Sequence, residues 1–249
     1  MEMNTNKILI SQQTPLNIAP YTALSEKFGV TVDFRPFFLI EPLSSKEFRT
    51  QRVNIPDYTA VVFSSRHAID AYFKICEEIR FKVPETMKYF CTTEAVAMYL
   101  QKHIVFRKRK IFFGTGTIDS IIELIGAKHK DENFLITTAD TANNAYIDSV
   151  FTSAGLKHTI AMFVKSVPQD LKDVNLKDYD MVVFYNPHDV ESLKVNFPDF
   201  KQGKLLFASY GKGVVKAMED AGLSISVQAP TPEAPSVAKA LELFLSKNI

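Results

Sequence analysis

The 249 residues suffice for one large domain or two small ones, and 46% hydrophobic residues supply real cores, which excludes a disordered chain. A formal net charge of +1, with no long block of one sign, gives no support to general nucleic-acid or membrane-surface binding. Cys76 and Cys91 are too few for a disulfide framework and lack metal-ligand spacing, so a reducing compartment is expected. The opening MEMNTNKILIS is polar and then apolar for four residues, with neither a signal-peptide core nor a membrane span, and a cytoplasmic protein is expected.

In chain order, the first half predicts strands near 7–11, 30–35, 60–64, 88–92 and 110–113, and helices near 19–28, 66–80 and 94–102. The second half predicts strands near 134–137, 159–165, 181–185, 205–209 and 225–228, and helices near 143–154, 189–196, 212–221 and 235–247. Short β-branched runs alternating with amphipathic helices are α/β organisation. The runs AVVF (60–63) and MVVF (181–184) are apolar at every residue, which fits parallel strands buried on both faces of a doubly wound sheet.

The halves repeat one another. DYTAVVFSSRHAIDAYF (57–73) is echoed by DYDMVVFYNPHDVESLKVNF (178–197), ILIS (8–11) by FLIT (134–137), and GVTVDFRPFFLIEP (29–42) by GLKHTIAMFVKSVP (155–168). TEAVAMYL (93–100) matches GKGVVKAM (211–218) in the same way. A period of about half the chain is far longer than a solenoid repeat and reads as a duplicated domain.

Ligands of doubly wound sheets sit beyond the carboxyl ends of the strands. The candidate site residues are therefore Ser11 and Gln12, Ser64, Ser65 and Arg66, Thr92 and Thr93, Thr137 and Thr138, Tyr185 and Asn186, and Ser209, Tyr210 and Gly211. They are mostly small hydroxyl or amide residues. No GxGxxG, GxxxxGK[ST], HExxH, GxSxG or CxxC occurs, so nucleotide, zinc and serine-hydrolase readings lose their usual support. GTGTIDSIIELI (114–125) is either a cradle of backbone N–H groups for an anion or a plain strand-to-helix turn. RKRK (107–110) reads as a solvated strand edge, and His67 and His188 as exposed first-turn helix residues. Arg66 is either a two-bond clamp for a carboxylate or an exposed first-turn arginine.

The order and spacing of these segments, closing with FASYGKGVVKAMEDAGLSISVQAPTPEAPSVAKALELFL (207–245), resemble uroporphyrinogen-III synthase over essentially the whole chain, most of all the form found in Bacteroidetes-like bacteria. The resemblance implies two flavodoxin-like doubly wound parallel-sheet domains on a two-strand hinge, each combining the start of one repeat with the later strands of the other. Residues 1–40 plus 166–249 would form one domain and 43–162 the second, with hinge strands near 38–43 and 163–168. It further implies a monomer that needs no cofactor and no metal and closes hydroxymethylbilane to uroporphyrinogen III in the cleft between the lobes, with hand-over of substrate from hydroxymethylbilane synthase. The strand-end residues, with the Gly211, Lys212 and Gly213 turn, would bind the substrate's carboxylates.

The chain departs from the family pattern at four polar positions. A family tyrosine on the second hinge strand, thought to help the hydroxyl leave, is Phe163; two turn threonines are Val96 and Val214; and a serine is Asn186. Phenylalanine has no proton to donate. Help for the leaving group then falls to Tyr185 or Tyr210, with Phe163 and Asn186 left to substrate binding. The alternative is a diverged two-lobed protein that binds a tetrapyrrole or another anion without chemistry.

Overall fold

The computed structural model describes residues 5–141 and 143–248. The chain divides into two compact units, residues 1–39 with 167–249 and residues 40–166. Each holds a five-stranded sheet in which every pairing is parallel.

The sheet of unit 1 takes β1 (Lys7–Ile10) and β2 (Thr31–Phe34) from the first repeat and β10 (Met181–Phe184), β11 (Leu206–Tyr210) and β12 (Val227–Ala229) from the second, in the order β12-β11-β10-β1-β2. Unit 2 is its complement: β4 (Ala60–Phe63), β5 (Lys88–Cys91) and β6 (Ile111–Phe113) join β7 (Asn133–Thr138) and β8 (Lys157–Met162), in the order β6-β5-β4-β7-β8. Counted along its own strands, the sheet of unit 1 is 2-1-3-4-5, the flavodoxin-like winding, and that of unit 2 is 3-2-1-4-5, the same winding cyclically permuted so that its chain begins at β4 instead of β7. The switch points lie between β1 and β10 and between β7 and β4. The doubly wound expectation holds, strand exchange included. The twin runs AVVF and MVVF are buried at every residue, as strands covered on both faces require.

Helices cover both faces. In unit 1, α1 (Ala19–Phe28) and α9 (Val237–Asn248) pack over Ile8, Ile10 and Val183, while α7 (Pro187–Asn196) and α8 (Lys212–Asp220) pack over Leu9, Val182 and Phe184. In unit 2, α3 (Arg66–Glu78) and α4 (Glu94–Tyr99) close a core of Val61, Phe63 and Tyr72. On the opposite face, α5 (Ile118–Ile125) and α6 (Asn144–Ser153) close one of Phe90, Phe134 and Phe151. Several helices begin on a small polar cap that accepts a backbone N–H: Ser65 for α3, Thr93 for α4, Thr117 for α5 and Asn186 for α7.

Two differences from the sequence expectation concern the passage between units, which falls after Leu39 and after Ser166. The strand expected over 159–165 is two strands, β8 and β9 (Val164–Pro168), broken at Phe163. The Phe163 N–H donates to the Thr138 carbonyl at 3.1 Å while its own carbonyl accepts from Leu43 at 2.9 Å, so the chain leaves the β7 ladder at this residue. β9 pairs instead with β3 (Phe38–Pro42). The second difference is a short helix, α2 (Ser45–Arg49), absent from the sequence reading. Its Ser44 and Glu47 form a reciprocal capping box, and Lys165 reaches Glu47 at 2.5 Å. Among the described residues no helix is long and apolar enough to cross a membrane.

Candidate functional site

At the switch point of unit 1, β1 ends at Ile10 and β10 at Phe184, and the residues just beyond them are tied to one carboxylate. Asp189, in the first turn of α7, is fully buried, and its Oδ2 accepts from Ser11 Oγ at 2.7 Å and from the backbone N–H groups of Tyr185 and Asn186, each at 2.9 Å. Its Oδ1 is buried and has no hydrogen-bond partner among the described residues. Burial pushes this carboxyl up to about 6; the bonds from Ser11, Tyr185 and Asn186 and the nearby His188 act in the opposite direction. Ser11 and Asn186, both expected to meet substrate, are thus first employed in fixing the turn: the Ser11 hydroxyl on Asp189, and Asn186 Oδ1 on the His188 N–H at 3.0 Å. Gln12 is exposed.

Three phenols gather on the other side of the same strand ends. Tyr185 follows β10 directly and Tyr210 ends β11, and their rings lie 5.4 Å apart. Tyr21, in the first turn of α1, places its hydroxyl 2.9 Å from that of Tyr185 and packs edge-on against Phe34 at 5.2 Å. Burial pushes the Tyr185 phenol well above the ordinary range, and the Tyr21 hydrogen bond acts in the same direction. Tyr21 lies inside a helix and follows no strand, so the strand-end rule does not reach it. Beyond Tyr210, Gly211 adopts φ +91°, a conformation that favours glycine, and opens α8 with exposed Lys212 and Gly213.

In unit 2 most of the expected hydroxyls also serve the fold. Ser65 and Thr93 cap α3 and α4, with the Ala68 N–H at 3.1 Å and the Val96 N–H at 3.3 Å. The buried Thr137 hydroxyl donates across the switch point to Val62 O at 2.9 Å, and Thr138 donates to Ala161 O at 3.4 Å. Thr92 donates a long bond to the carbonyl of exposed Ser64 at 3.5 Å. Arg66 is exposed and forms no hydrogen bond or ion pair with the described residues. Its guanidinium lies 5.6 Å from the Tyr99 ring centre. That contact uses the flat face and leaves the in-plane N–H groups available.

Phe163 is fully buried against Phe48 at 4.7 Å and Tyr72 at 5.8 Å, so its ring presents no surface to a ligand. Val96 and Val214 are likewise core residues.

The glycine-rich turn after β6 resolves its two readings. The N–H groups of Gly114, Thr115 and Gly116 go to Cys91 O, Ser120 Oγ and Thr92 O at 2.9, 3.0 and 2.8 Å, so the glycine-rich stretch spends these three donors within the fold, as a plain strand-to-helix turn does. In the 107–110 run Lys108 and Arg109 are exposed and Arg107 pairs with Glu85 at 3.1 Å, in keeping with a solvated surface. Burial pushes the thiols of Cys76 and Cys91 up to about 12, away from the reactive range. Among the described residues no group of three or more His, Cys, Asp or Glu side chains is placed to hold a metal. A groove of about 660 Å³ in unit 1 lies at the opposite, amino ends of β10 and β11, beside Tyr179, Asp180 and Leu205.

A family model described as uroporphyrinogen-III synthase HemD matches residues 19–239. No curated protein sequence matches the chain significantly. Among solved structures, the uroporphyrinogen-III synthetase of Helicobacter pylori is similar with a TM-score of 0.60 at 15% identity, covering 97% of this chain and 99% of that one. A mutant uroporphyrinogen III synthase of Thermus thermophilus gives 0.53 at 14% identity, covering 98% of each chain. At these identities the structural likeness speaks for the fold, and the family match carries the rest.

Proposed function

The chain belongs to the uroporphyrinogen-III synthase family, and we propose that it closes linear hydroxymethylbilane to uroporphyrinogen III with inversion of ring D. The observation that carries this reading is the family match over residues 19–239. Loss of the hydroxyl from the ring A hydroxymethyl group gives a stabilised azafulvene cation. Attack by the substituted carbon of ring D then makes a spiro intermediate, which fragments and recloses. The free bilane closes to the symmetric isomer, so the protein's task is to hold one conformation and stabilise developing charge, without a cofactor.

The strand-end groups fit a substrate with eight carboxylates. In this reading Arg66, with its in-plane N–H groups free, clamps one carboxylate. Ser64, Gln12, Lys212 and the Gly211 and Gly213 backbone contribute polar contacts, Ser11, Ser65, Thr92, Thr93, Thr137, Thr138 and Asn186 shape the turns that present them, and Tyr185 and Tyr210 assist loss of the hydroxyl. The bilane would engage strand ends of both units, with β3 and β9 serving as the hinge. We further propose that the protein acts as a monomer and takes the bilane from its synthase.

The test is isomer analysis. Purified protein supplied with bilane made in situ is expected to shift the product from isomer I to isomer III. In the same assay Arg66→Ala should raise KM by the equivalent of about 1–3 kcal/mol. Product that stays isomer I while the protein still binds the bilane would favour a non-catalytic binding protein instead.

A further inference from the structure

With Phe163 locked in a core and unable to donate a proton, the question is which group of this chain protonates the leaving hydroxyl. The Tyr21–Tyr185 pair is the arrangement at the strand ends suited to it. The two hydroxyls are 2.9 Å apart, and in such a pair one phenol spends its proton on the other while the second keeps its own free to donate outward. Neither hydroxyl has another partner among the described residues.

Which phenol holds which role follows from burial. Either hydroxyl can donate across the 2.9 Å while both phenols are neutral. Once one of them has given its proton outward, the phenolate belongs on Tyr21, because burial disfavours it at Tyr185, and Tyr185 then donates to Tyr21 Oη. The outward donor is therefore the Tyr21 O–H. The groups facing Tyr185 are Tyr21 from α1, Tyr210 from β11 and, at its backbone, Asp189 from α7.

We propose that Tyr21 is the proton donor for loss of the bilane's hydroxyl, and that Tyr185 is the positioning residue that steadies the phenolate left behind. This rests on the synthase reading above. As the C–O bond of the hydroxymethyl group breaks, its electron pair leaves with the oxygen, which takes the Tyr21 proton and departs as water. The Tyr21 phenolate accepts the Tyr185 hydrogen bond. It recovers a proton when the unsubstituted α-carbon of ring D, newly bonded in the final closure, sheds its own. The net change is loss of one water, and Tyr21 ends as it began.

The experiment compares kcat and KM of Tyr21→Phe and Tyr185→Phe with the wild type, using bilane made in situ and counting isomer III. Both substitutions keep the ring, and equal thermal midpoints confirm that the fold is intact. Tyr21→Phe should lower kcat by ~100-fold, the lower end of what a positioned acid contributes. Tyr185→Phe should lower kcat by ~10-fold, the worth of one hydrogen bond to the developing phenolate, and KM should stay within about twofold in both. A Tyr21 variant with wild-type kcat, a larger loss at Tyr185 than at Tyr21, or an effect confined to KM overturns the assignment while leaving the synthase reading intact. Wild-type protein that makes no isomer III removes the reading on which it rests.

Discussion

Asp189 illustrates how burial decides between opposed effects at one residue. Three donors on Oδ2 favour the carboxylate, yet full burial with a bare Oδ1 outweighs them and holds the carboxyl at about 6. A folded-state value raised above the unfolded 3.8 means that the native state binds this proton more tightly. The stabilisation is therefore fully present below about pH 4 and lost as pH rises through 6. Against an Asp189→Asn variant, which has no proton to gain, wild-type stability should improve by about 2 kcal/mol between pH 7.5 and 4.5. Urea midpoints at the two pH values measure this. A gap independent of pH would show that the Asp189 carboxyl is ordinary.

Among the elements, the turn into α5 has a glycine whose reason is steric. A Cβ on Gly114 would stand 2.2 Å from Ser120 Oγ and 3.0 Å from its Cβ. Ser120 cannot turn away freely, because its Oγ donates to Thr117 O at 2.7 Å and accepts from Thr115 N at 3.0 Å. Gly114→Ala should destabilise the protein by about 1–3 kcal/mol through lost hydrogen bonds and strain. In a Ser120→Ala background the same change should do less harm. Equal losses in both backgrounds, read from denaturant unfolding, would place the cause elsewhere.

The other elements show what a sequence makes legible. Apolar runs such as AVVF, and polar caps such as Ser65 and Thr93, announce themselves because their causes are local. Tyr21 does not. Its partner Tyr185 is 164 residues away, and only the pairing of β1 with β10 brings α1 beside that strand end. Asp189 was half legible: an acid three residues after an N-cap asparagine is a capping-box pattern, but nothing local says that it will be buried. Phe163 also misled, since a β-rich run gives no sign that one residue will leave the ladder and turn into the core.

At the scale of the whole molecule, the repeat in the sequence and the unit in space are different objects. The first repeat holds β1 to β6, yet the β1–β2 pair joins its sheet only through β10 of the second repeat, and β4 meets β7 of the second repeat at its switch point. Unit 2, in contrast, is one continuous stretch that contains a complete sheet, helices on both faces and two cores built around Tyr72 and Phe134. Residues 40–166 expressed alone should therefore give a monomer that unfolds cooperatively, as a compact domain of ordinary size does. Residues 1–126, a full repeat of similar length, should give no folded monomer. Its β4 would lack β7, leaving Ala60, Val61 and Val62 along an open edge, and its β1 would lack β10. Thermal melts with sedimentation of the two fragments decide the matter. A cooperatively melting monomer from 1–126, or an unfolded 40–166, would mean that the native exchange of strands between repeats is not what makes each unit stable.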